Sequence, residues 1–199
     1  MNNMRNTPTL YTSRLILRRF EAQDAPALLR ILSDEQVNTF LPMFPLKDLE
    51  EAQAYLQQSY LKSYEAPIGF RYAICLKEDD IPIGYVGIGE GDSYDLGYGL
   101  AKEHWHKGIV SEACMALVQE IRGCGMEYIT ATHDVNNPRS GAVMRRIGMQ
   151  YKYSYEEQWQ PKDIPVIFRM YQLNLDGKEE RTYKHYWDKY PIHFVEDGV

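Results

Sequence analysis

The sequence contains few cysteines and no long apolar run. Of its 199 residues three are cysteines, Cys75, Cys114 and Cys124, an odd number without a C-x-x-C pair. This usage favours buried free thiols in a reducing compartment over a disulfide framework. No apolar stretch approaches the ~20 residues of a membrane-spanning helix, and residues 1–10 lack the basic-then-apolar pattern of a signal peptide. The sequence therefore predicts a cytoplasmic protein that does not act at a membrane.

Positive charge is also scarce. Lysine and arginine number 22 against 28 aspartates and glutamates, a formal net charge of -6, which argues against nucleic acid as a general partner. The composition, 44% hydrophobic and 25% charged, is that of an ordinary globular protein, and the length fits one domain or one domain with an extension. An acidic protein that binds an anion must gather basic residues locally, and the segment from Lys102 to Lys107 does so.

This basic segment lies between a predicted strand and a predicted helix. Tyr94 to Leu100 has the two-residue alternation of a half-buried strand, and from Val110 to Ile121 the apolar residues share one helical face. A turn at Gly108 that starts a helix leaves backbone N–H groups unpaired at the positive end of the helix dipole, which suits an anion such as a pyrophosphate. The spacing matches neither a P-loop nor the G-x-G-x-x-G dinucleotide fingerprint.

Two stretches resemble the GNAT N-acetyltransferases, in particular the branch that acetylates ribosomal-protein N-termini. Residues 105–113, read as WHKGIVSEA, are similar to its W-x-K-G-[YI]-[AV]-[ST]-E-A pattern. Asn137-Pro138-Arg139-Ser140, a helix and then Gly148-Met149 are similar to its N-x-x-S…G-[FM] pattern. The two stretches occur in the family's order, and the resemblance covers roughly residues 12–175.

The resemblance implies an α/β (α+β) fold with a mixed, mostly antiparallel central sheet of about seven strands and helices on both faces. It also implies direct transfer of an acetyl group from acetyl-CoA to a primary amine, either a protein N-terminus or a small molecule. The expected organisation is an acetyltransferase domain over residues 1–175 and a C-terminal helical extension over 176–199. Four aromatic residues at helical spacing in the extension are expected to pack on the same domain or on a second subunit of a homodimer: Tyr183, Tyr186, Trp187 and Tyr190.

The resemblance also assigns roles to residues. Ser140 would protonate the leaving thiolate, and Asp95, on the glycine face of the predicted strand, is the preferred general base. Acetyl-CoA would be held by Leu100, Ala101, Lys102, His106, Lys107, Gly108, Ile109, Val110, Ser111, Asn137, Arg139 and Ser140. Backbone N–H groups near Gly99–Ala101 would polarise the thioester carbonyl, and Gly97 and Gly99 would leave that face open for the pantetheine arm.

Several of these roles have structural alternatives. Asp95 could be a solvated charge at a strand end, and Asn137 could simply cap the helix that follows it. Glu90, His133 and Asp134 are further candidates for the general base. The acceptor amine cannot be identified from the sequence.

The remaining polar residues of the basic turn are expected to be structural. Glu112 is expected to be a first-turn acid favoured by the helix dipole. His104 and His106 form an H-x-H pair, but further ligands cannot be placed, so no metal is expected. The acyl-CoA loop of the wider GNAT superfamily reads [QR]-x-x-G-x-[GA], and Val110 stands at its last position in place of Gly or Ala. This departure keeps open the alternative of a non-catalytic module that binds or senses acyl-CoA.

Overall fold

The structure is a computed structural model, and it describes residues 6–199. Residues 1–5, the start of the predicted domain 1–175 and of the segment examined for a signal peptide, lie outside the described part. The chain forms two compact units, one of residues up to Ile88 with Tyr98–Glu120 and the other of Gly89–Gly97 with Ile121–Val199.

The first unit contains a five-stranded sheet with the strands in sequence order. Its strands are β1 (Leu10–Tyr11), β2 (Leu15–Arg18), β3 (Arg71–Leu76), β4 (Pro82–Ile88) and β5 (Leu96–Leu100). The pairs β1–β2, β2–β3 and β3–β4 are antiparallel. Alternate residues of β2, Leu15 and Leu17, are fully buried, as expected for a strand with one face on the core.

The described residues of the first unit form four α-helices, and the first three share one buried apolar cluster with residues of β3. The four helices are α1 (Ala25–Leu32), α2 (Glu35–Asn38), α3 (Leu49–Leu56), which continues as a π turn and a 3-10 turn to Glu65, and α4 (Ile109–Arg122). Asp48 caps α3, because its carboxylate accepts the Glu51 N–H at 2.9 Å. Asp24 precedes α1, but its side chain makes no cap bond; its carboxylate pairs with Arg18 at 2.8 Å instead.

The second unit contains a four-stranded antiparallel sheet in the order β6-β8-β7-β9. Its elements are β6 (Tyr128–Asp134), α5 (Pro138–Arg146), β7 (Gln150–Trp159), β8 (Ile164–Asn174), α6 (His185–Lys189) and β9 (His193–Phe194). One face of β7 and β8 presents a cluster of buried side chains: Tyr153, Tyr155, Val166, Phe168 and Met170. The predicted aromatic stripe of the C-terminal extension covers this cluster within the same chain: Tyr183, Tyr186, Trp187 and Tyr190.

The predicted α/β fold class is confirmed, but the strands differ in number and grouping. Residues 6–199 contain nine strands rather than about seven, and the strands form two sheets rather than one. The additional strands, β1 and β9, have two residues each, too few for an alternating pattern to be visible in the sequence. No helix of the described residues is long and apolar enough to cross a membrane. Cys75 and Cys114 are buried free thiols, as expected.

Candidate active site

The basic turn of the first unit starts helix α4 with a distinctive backbone conformation. His106 and Gly108 have left-handed φ values of 61° and 72°, and such changes of hand direct successive N–H groups to one side. The first helical hydrogen bond runs from the Glu112 N–H to the Gly108 carbonyl at 3.1 Å. The N–H groups of residues 109–111 therefore precede the helical ladder and have no intrahelical acceptor. This end of α4 has the geometry of an anion site.

Two side chains hold the turn in place. The indole N–H of Trp105 donates to the Leu100 carbonyl at 2.8 Å. On the other side, Arg14 donates from Nη1 to the Lys107 carbonyl at 2.9 Å and forms an ion pair with Glu112 at 2.7 Å. Because Arg14 belongs to a distant part of the sequence, no sequence pattern marked it as a support of this turn.

Most of the residues predicted to hold acetyl-CoA lie in the first unit: Leu100, Ala101, Lys102, His106, Lys107, Gly108, Ile109, Val110 and Ser111. The side chains of Lys102, His106 and Lys107 are exposed, whereas Ile109 and Ser111 are buried and fix the start of α4. A Cβ built on Gly108 would meet only Arg14 Nη2, at 3.8 Å. Approach to the backbone at Gly108 is therefore open, and exposed cationic side chains flank it, so these residues fit a pyrophosphate.

The residues at the end of β5 differ from the prediction in two ways. The Ala101 N–H already donates to the Ile83 carbonyl at 2.8 Å, so it is not free to polarise a carbonyl. A Cβ on Gly99 would lie 2.5 Å from the Tyr85 ring, so Tyr85 occupies the space that was expected to be open there. The space beside Gly97 is open, because a Cβ there would meet no described atom within 4 Å.

The remaining predicted site residues, Asp95, Asn137, Arg139 and Ser140, lie in the second unit. Asp95 is half-buried and bridges to β6 at Thr130. The Thr130 hydroxyl lies 3.3 Å from Asp95 Oδ1 and 2.9 Å from the Ser93 carbonyl. The Asp95 carbonyl accepts the Gly89 N–H at 2.7 Å. The backbone on either side of the carboxylate is therefore fixed.

The electrostatic surroundings of Asp95 are unusual for an aspartate. Burial raises the pKa of Asp95 to about 7, against a smaller lowering by the Thr130 hydrogen bond. The pKa values of the Tyr155 and Tyr186 hydroxyls are raised mainly by their own burial, and the charge of Asp95 contributes to both increases. A carboxyl with a pKa near 7 can exchange a proton at neutral pH, which an ordinary solvated aspartate does not do. Asp95 is therefore more than a solvated strand-end charge.

The segment around Ser140 begins helix α5. Asn137 Oδ1 accepts the Ser140 N–H at 3.4 Å, and Pro138 is the first helical residue. The capping alternative for Asn137 is thus realised, which commits its carbonyl oxygen to the helix. Ser140 is half-buried, and Arg139 is exposed beside it.

The other candidates for a general base are structural or exposed. His133 is 3% exposed, and its Nδ1–H donates to the Asp134 carbonyl at 2.8 Å. Its Nε2 atom has no hydrogen-bond partner and lies 2.6 Å from where a Cβ of Gly141 would be. Burial also lowers the pKa of His133, so its ring stays neutral under the helix. Glu90 is exposed.

The acids near the two helix starts also have structural roles. Asp134 Oδ1 accepts the Asn136 N–H at 2.8 Å within the turn before α5. The pKa of Glu112 is lowered to about 2, where hydrogen bonds from Thr12 and Arg14 outweigh its burial. Across residues 6–199, no three histidine, cysteine or acidic side chains gather to hold a metal ion.

Comparisons with known proteins agree with the fold and with the position of the turn. The family model described as "Acetyltransferase (GNAT) domain" matches residues 14–150. The relative described as "Uncharacterized N-acetyltransferase p20" of Bacillus licheniformis is 36% identical over 114 residues, which span 55% of this chain and 64% of that protein. The relative described as "Uncharacterized N-acetyltransferase YoaA" of Bacillus subtilis is 27% identical over 171 residues, 83% of this chain and 96% of that protein.

A solved structure extends the likeness to the fold. RimL, a ribosomal L7/L12 alpha-N-protein acetyltransferase in complex with coenzyme A, superposes with a TM-score of 0.73 at 18% identity, covering 85% of this chain and 99% of that one. The family match includes both the turn at Gly108 and the segment at Ser140. This chain belongs to the GNAT acetyltransferase family and is an acetyltransferase of that family.

Proposed function

We propose that this protein transfers an acetyl group from acetyl-CoA to a primary amine, with an α-amine as the preferred acceptor. The observation that carries the proposal is Asp95, a half-buried carboxyl whose pKa is raised to about 7 by burial. An α-amine has a pKa of ~7.7–8.0 and a lysine amine ~10.4. The free energy of proton transfer from the ammonium group to Asp95 is therefore close to zero for an α-amine and strongly unfavourable for a lysine. The α-amine acceptor named for RimL agrees with this choice.

Cofactor binding, deprotonation of the amine and protonation of the thiolate are assigned to residues of this chain. The N–H groups of residues 106–111 hold the pyrophosphate of acetyl-CoA, with Lys107 adding positive charge and the exposed His106 beside it. When bound, acetyl-CoA supplies the activated acetyl group. Asp95 accepts the proton of the amine, and Ser140 donates a proton to the departing sulfur. Asn137 and Arg139 are assigned to binding of the pantetheine arm and the phosphates.

The alternative from another class is a module that binds acyl-CoA without catalysis. Val110, half-buried in the first turn of α4, favours it, because the wider GNAT superfamily has Gly or Ala there. Such a module has no use for a base, so the raised pKa of Asp95 favours the enzyme.

The test is release of free thiol from acetyl-CoA in the presence of an amine panel. The panel contains peptides with a free α-amine, the same peptides with a blocked N-terminus and one lysine, and small amines. We expect the free α-amine peptides to react fastest. Ser140→Ala should lower turnover by about 10–10⁴-fold with little change in acetyl-CoA affinity.

One outcome would contradict the proposed activity, and another would contradict only the role assigned to Ser140. Acetyl-CoA binding without thiol release for any amine would support the non-catalytic module. Equal turnover of Ser140→Ala and wild type would show that the serine only packs at the start of α5 and that solvent protonates the thiolate.

A further inference from the structure

The C-terminal extension contacts the segment that carries Asp95, and both belong to the second unit. The Tyr183 hydroxyl donates to Asp92 Oδ1 at 2.8 Å, and the Tyr128 hydroxyl donates to the Asp92 carbonyl at 2.6 Å. The Thr130 hydroxyl donates to the Ser93 carbonyl at 2.9 Å. Residues 92–95 are therefore held from the extension on one side and from β6 on the other.

The extension also covers the surroundings of the carboxylate with aromatic rings. Tyr186 stacks on Tyr155 with ring centroids 5.1 Å apart, and Tyr190 stacks on the same ring at 4.8 Å. The Asp95 charge raises the pKa of Tyr155 and of Tyr186, whose hydroxyl also interacts with Ser93. The Tyr186 hydroxyl thus bonds two residues away from Asp95, whereas the Tyr190 hydroxyl bonds to Lys189 and Glu157.

The position of the extension is fixed by hydrogen bonds to the sheet. Gln172 is 1% exposed, and its Oε1 accepts the Tyr183 N–H at 2.7 Å while its Nε2 donates to the Arg181 carbonyl at 3.0 Å. The Tyr153 hydroxyl donates to the Tyr183 carbonyl at 2.8 Å. A solvent-exposed tail would not form these hydrogen bonds. They attach the extension to one defined position on β7 and β8.

We propose that the C-terminal extension belongs to the catalytic centre: Tyr186 keeps water away from the Asp95 carboxylate, and Tyr183 fixes the segment that carries it. Both are positioning residues, because they act on the reaction through Asp95. The inference rests on the proposed role of Asp95 as the general base.

The proposal has a definite consequence for the pH dependence of the reaction. The Thr130 hydroxyl from β6 lies 3.3 Å from the Asp95 carboxylate, and Tyr155 from β7 and Tyr186 from α6 are near enough for its charge to raise their pKa values. Burial is the larger cause of the raised pKa of Asp95, and no cation of the described residues is among its causes. Removal of the Tyr186 ring admits water, which lowers the pKa of Asp95 toward its ordinary value.

The test is the pH profile of kcat/KM for an α-amine peptide in the full-length chain. Tyr186→Ala should move the acid limb about one pH unit toward lower pH, since water relieves part of the desolvation. Tyr186→Phe keeps the ring and should leave the limb within a few tenths of a unit. Tyr190→Ala, the matched control, removes an equal ring from Tyr155 and should leave the limb in place. Tyr183→Phe removes only the hydrogen bond to Asp92. It should also move the acid limb toward lower pH, but by less than Tyr186→Ala does.

A spectroscopic titration separates this inference from the role of Asp95 itself. The ¹³C resonance of the Asp95 carboxyl, assigned with Asp95→Asn, should titrate about one unit lower in Tyr186→Ala than in wild type. If Tyr186→Ala and Tyr183→Phe are folded and neither the ¹³C titration of Asp95 nor the acid limb of the pH profile moves, the inference about the extension is wrong. The proposed role of Asp95 as the general base would not be affected by that result. If Asp95→Asn keeps the wild-type rate and acid limb, Asp95 is not the base, and the inference fails with it. Acetyl transfer by Asp95→Asn would still show that the protein is an active acetyltransferase.

Discussion

At the scale of single residues, Gly108 is the sharpest test of the cofactor turn. Its φ is 72°, and the space beside it is open except for Arg14 Nη2 at 3.8 Å from a built Cβ. Gly108→Asp should therefore fold, at a cost of about 1 kcal/mol for the left-handed backbone. Its carboxylate would stand where the pyrophosphate binds, and we expect the Kd for acetyl-CoA to rise by at least about 100-fold, roughly 3 kcal/mol. Calorimetry with acetyl-CoA measures this directly.

Gly125→Asp is the matched control for that variant. Gly125 also has a left-handed φ, 74°, and a Cβ there would meet no described atom within 4 Å. It should lose comparable stability and keep its affinity for acetyl-CoA. An unchanged affinity in Gly108→Asp would show that the anion lies elsewhere.

The backbone conformation at Gly108 and the cap at Asn137 could be anticipated from the sequence because both are local. Gly108 and Asn137 act on the backbone within three residues of themselves, so turn and cap patterns identify them. Gly99 was misjudged because its surroundings are not local. The Tyr85 ring, from the neighbouring strand β4, occupies the space beside it, and no pattern in β5 contains that information.

At the scale of elements, the start of α4 depends on one carboxylate. Glu112 accepts the Thr12 hydroxyl at 2.6 Å, the Ser13 hydroxyl at 3.0 Å and the Arg14 N–H at 3.1 Å, besides its ion pair with Arg14. It joins α4 to the segment before β2, a role beyond that of the expected dipole acid. Glu112→Gln weakens charge-assisted bonds of about 1.5–3 kcal/mol each. We expect the Tm at pH 7 to fall by roughly 4–8 °C.

The pH dependence of that loss follows from the pKa of Glu112. Its folded pKa, about 2, lies below the ordinary value of 4.5, so the carboxylate stabilises the fold above pH 4.5 and this contribution disappears as the pH falls toward 2. The Tm difference between Glu112→Gln and wild type should therefore shrink in acid. Glu50→Gln, an exposed first-turn acid of α3, is the control and should change the Tm little. A constant difference at all pH values would show that Glu112 acts by packing.

Elements with a clear period were predicted with nearly correct bounds, and short or tertiary elements were not. β5 and α4 were predicted within two residues of their observed bounds, because β5 alternates in polarity and α4 keeps its apolar residues on one face. The aromatic stripe predicted a helical extension over residues 176–199, whereas α6 is only five residues long. β9 follows it as a pairing of two residues with β7, which is stabilised by the sheet and not by its own sequence.

At the scale of the whole molecule, the chemistry of the candidate site depends on residues far apart in the chain. The surroundings of Asp95 combine Thr130, Tyr155 and Tyr186 from three different elements. The sequence showed an acid on the glycine face of a strand. It could not show the raised pKa, since desolvation is a property of the assembled unit.

The raised pKa of Asp95 should make the protein less stable at the pH values at which it is most active. The folded pKa of Asp95, about 7, lies above the ordinary value of 3.8, so the folded state binds the extra proton between these values. The stabilisation from this proton is complete below pH 3.8 and is lost as the pH rises through 7, while a base must be deprotonated to act.

Asp95→Asn tests this opposition of stability and activity, because asparagine has the shape of the protonated acid and no charge. At pH 8.5 we expect its Tm to exceed the wild-type value by roughly 2–8 °C, or about 1–2 kcal/mol. This is less than the full pKa shift would give, because Asp95 is only half-buried. At pH 4 the two proteins should unfold at the same temperature, and the exposed control Asp197→Asn should differ little from wild type at either pH. A variant that is inactive yet no more stable at pH 8.5 would mean that the ionised carboxylate is well solvated in the fold, and exclusion of water by the C-terminal extension would then be the wrong account of its reactivity.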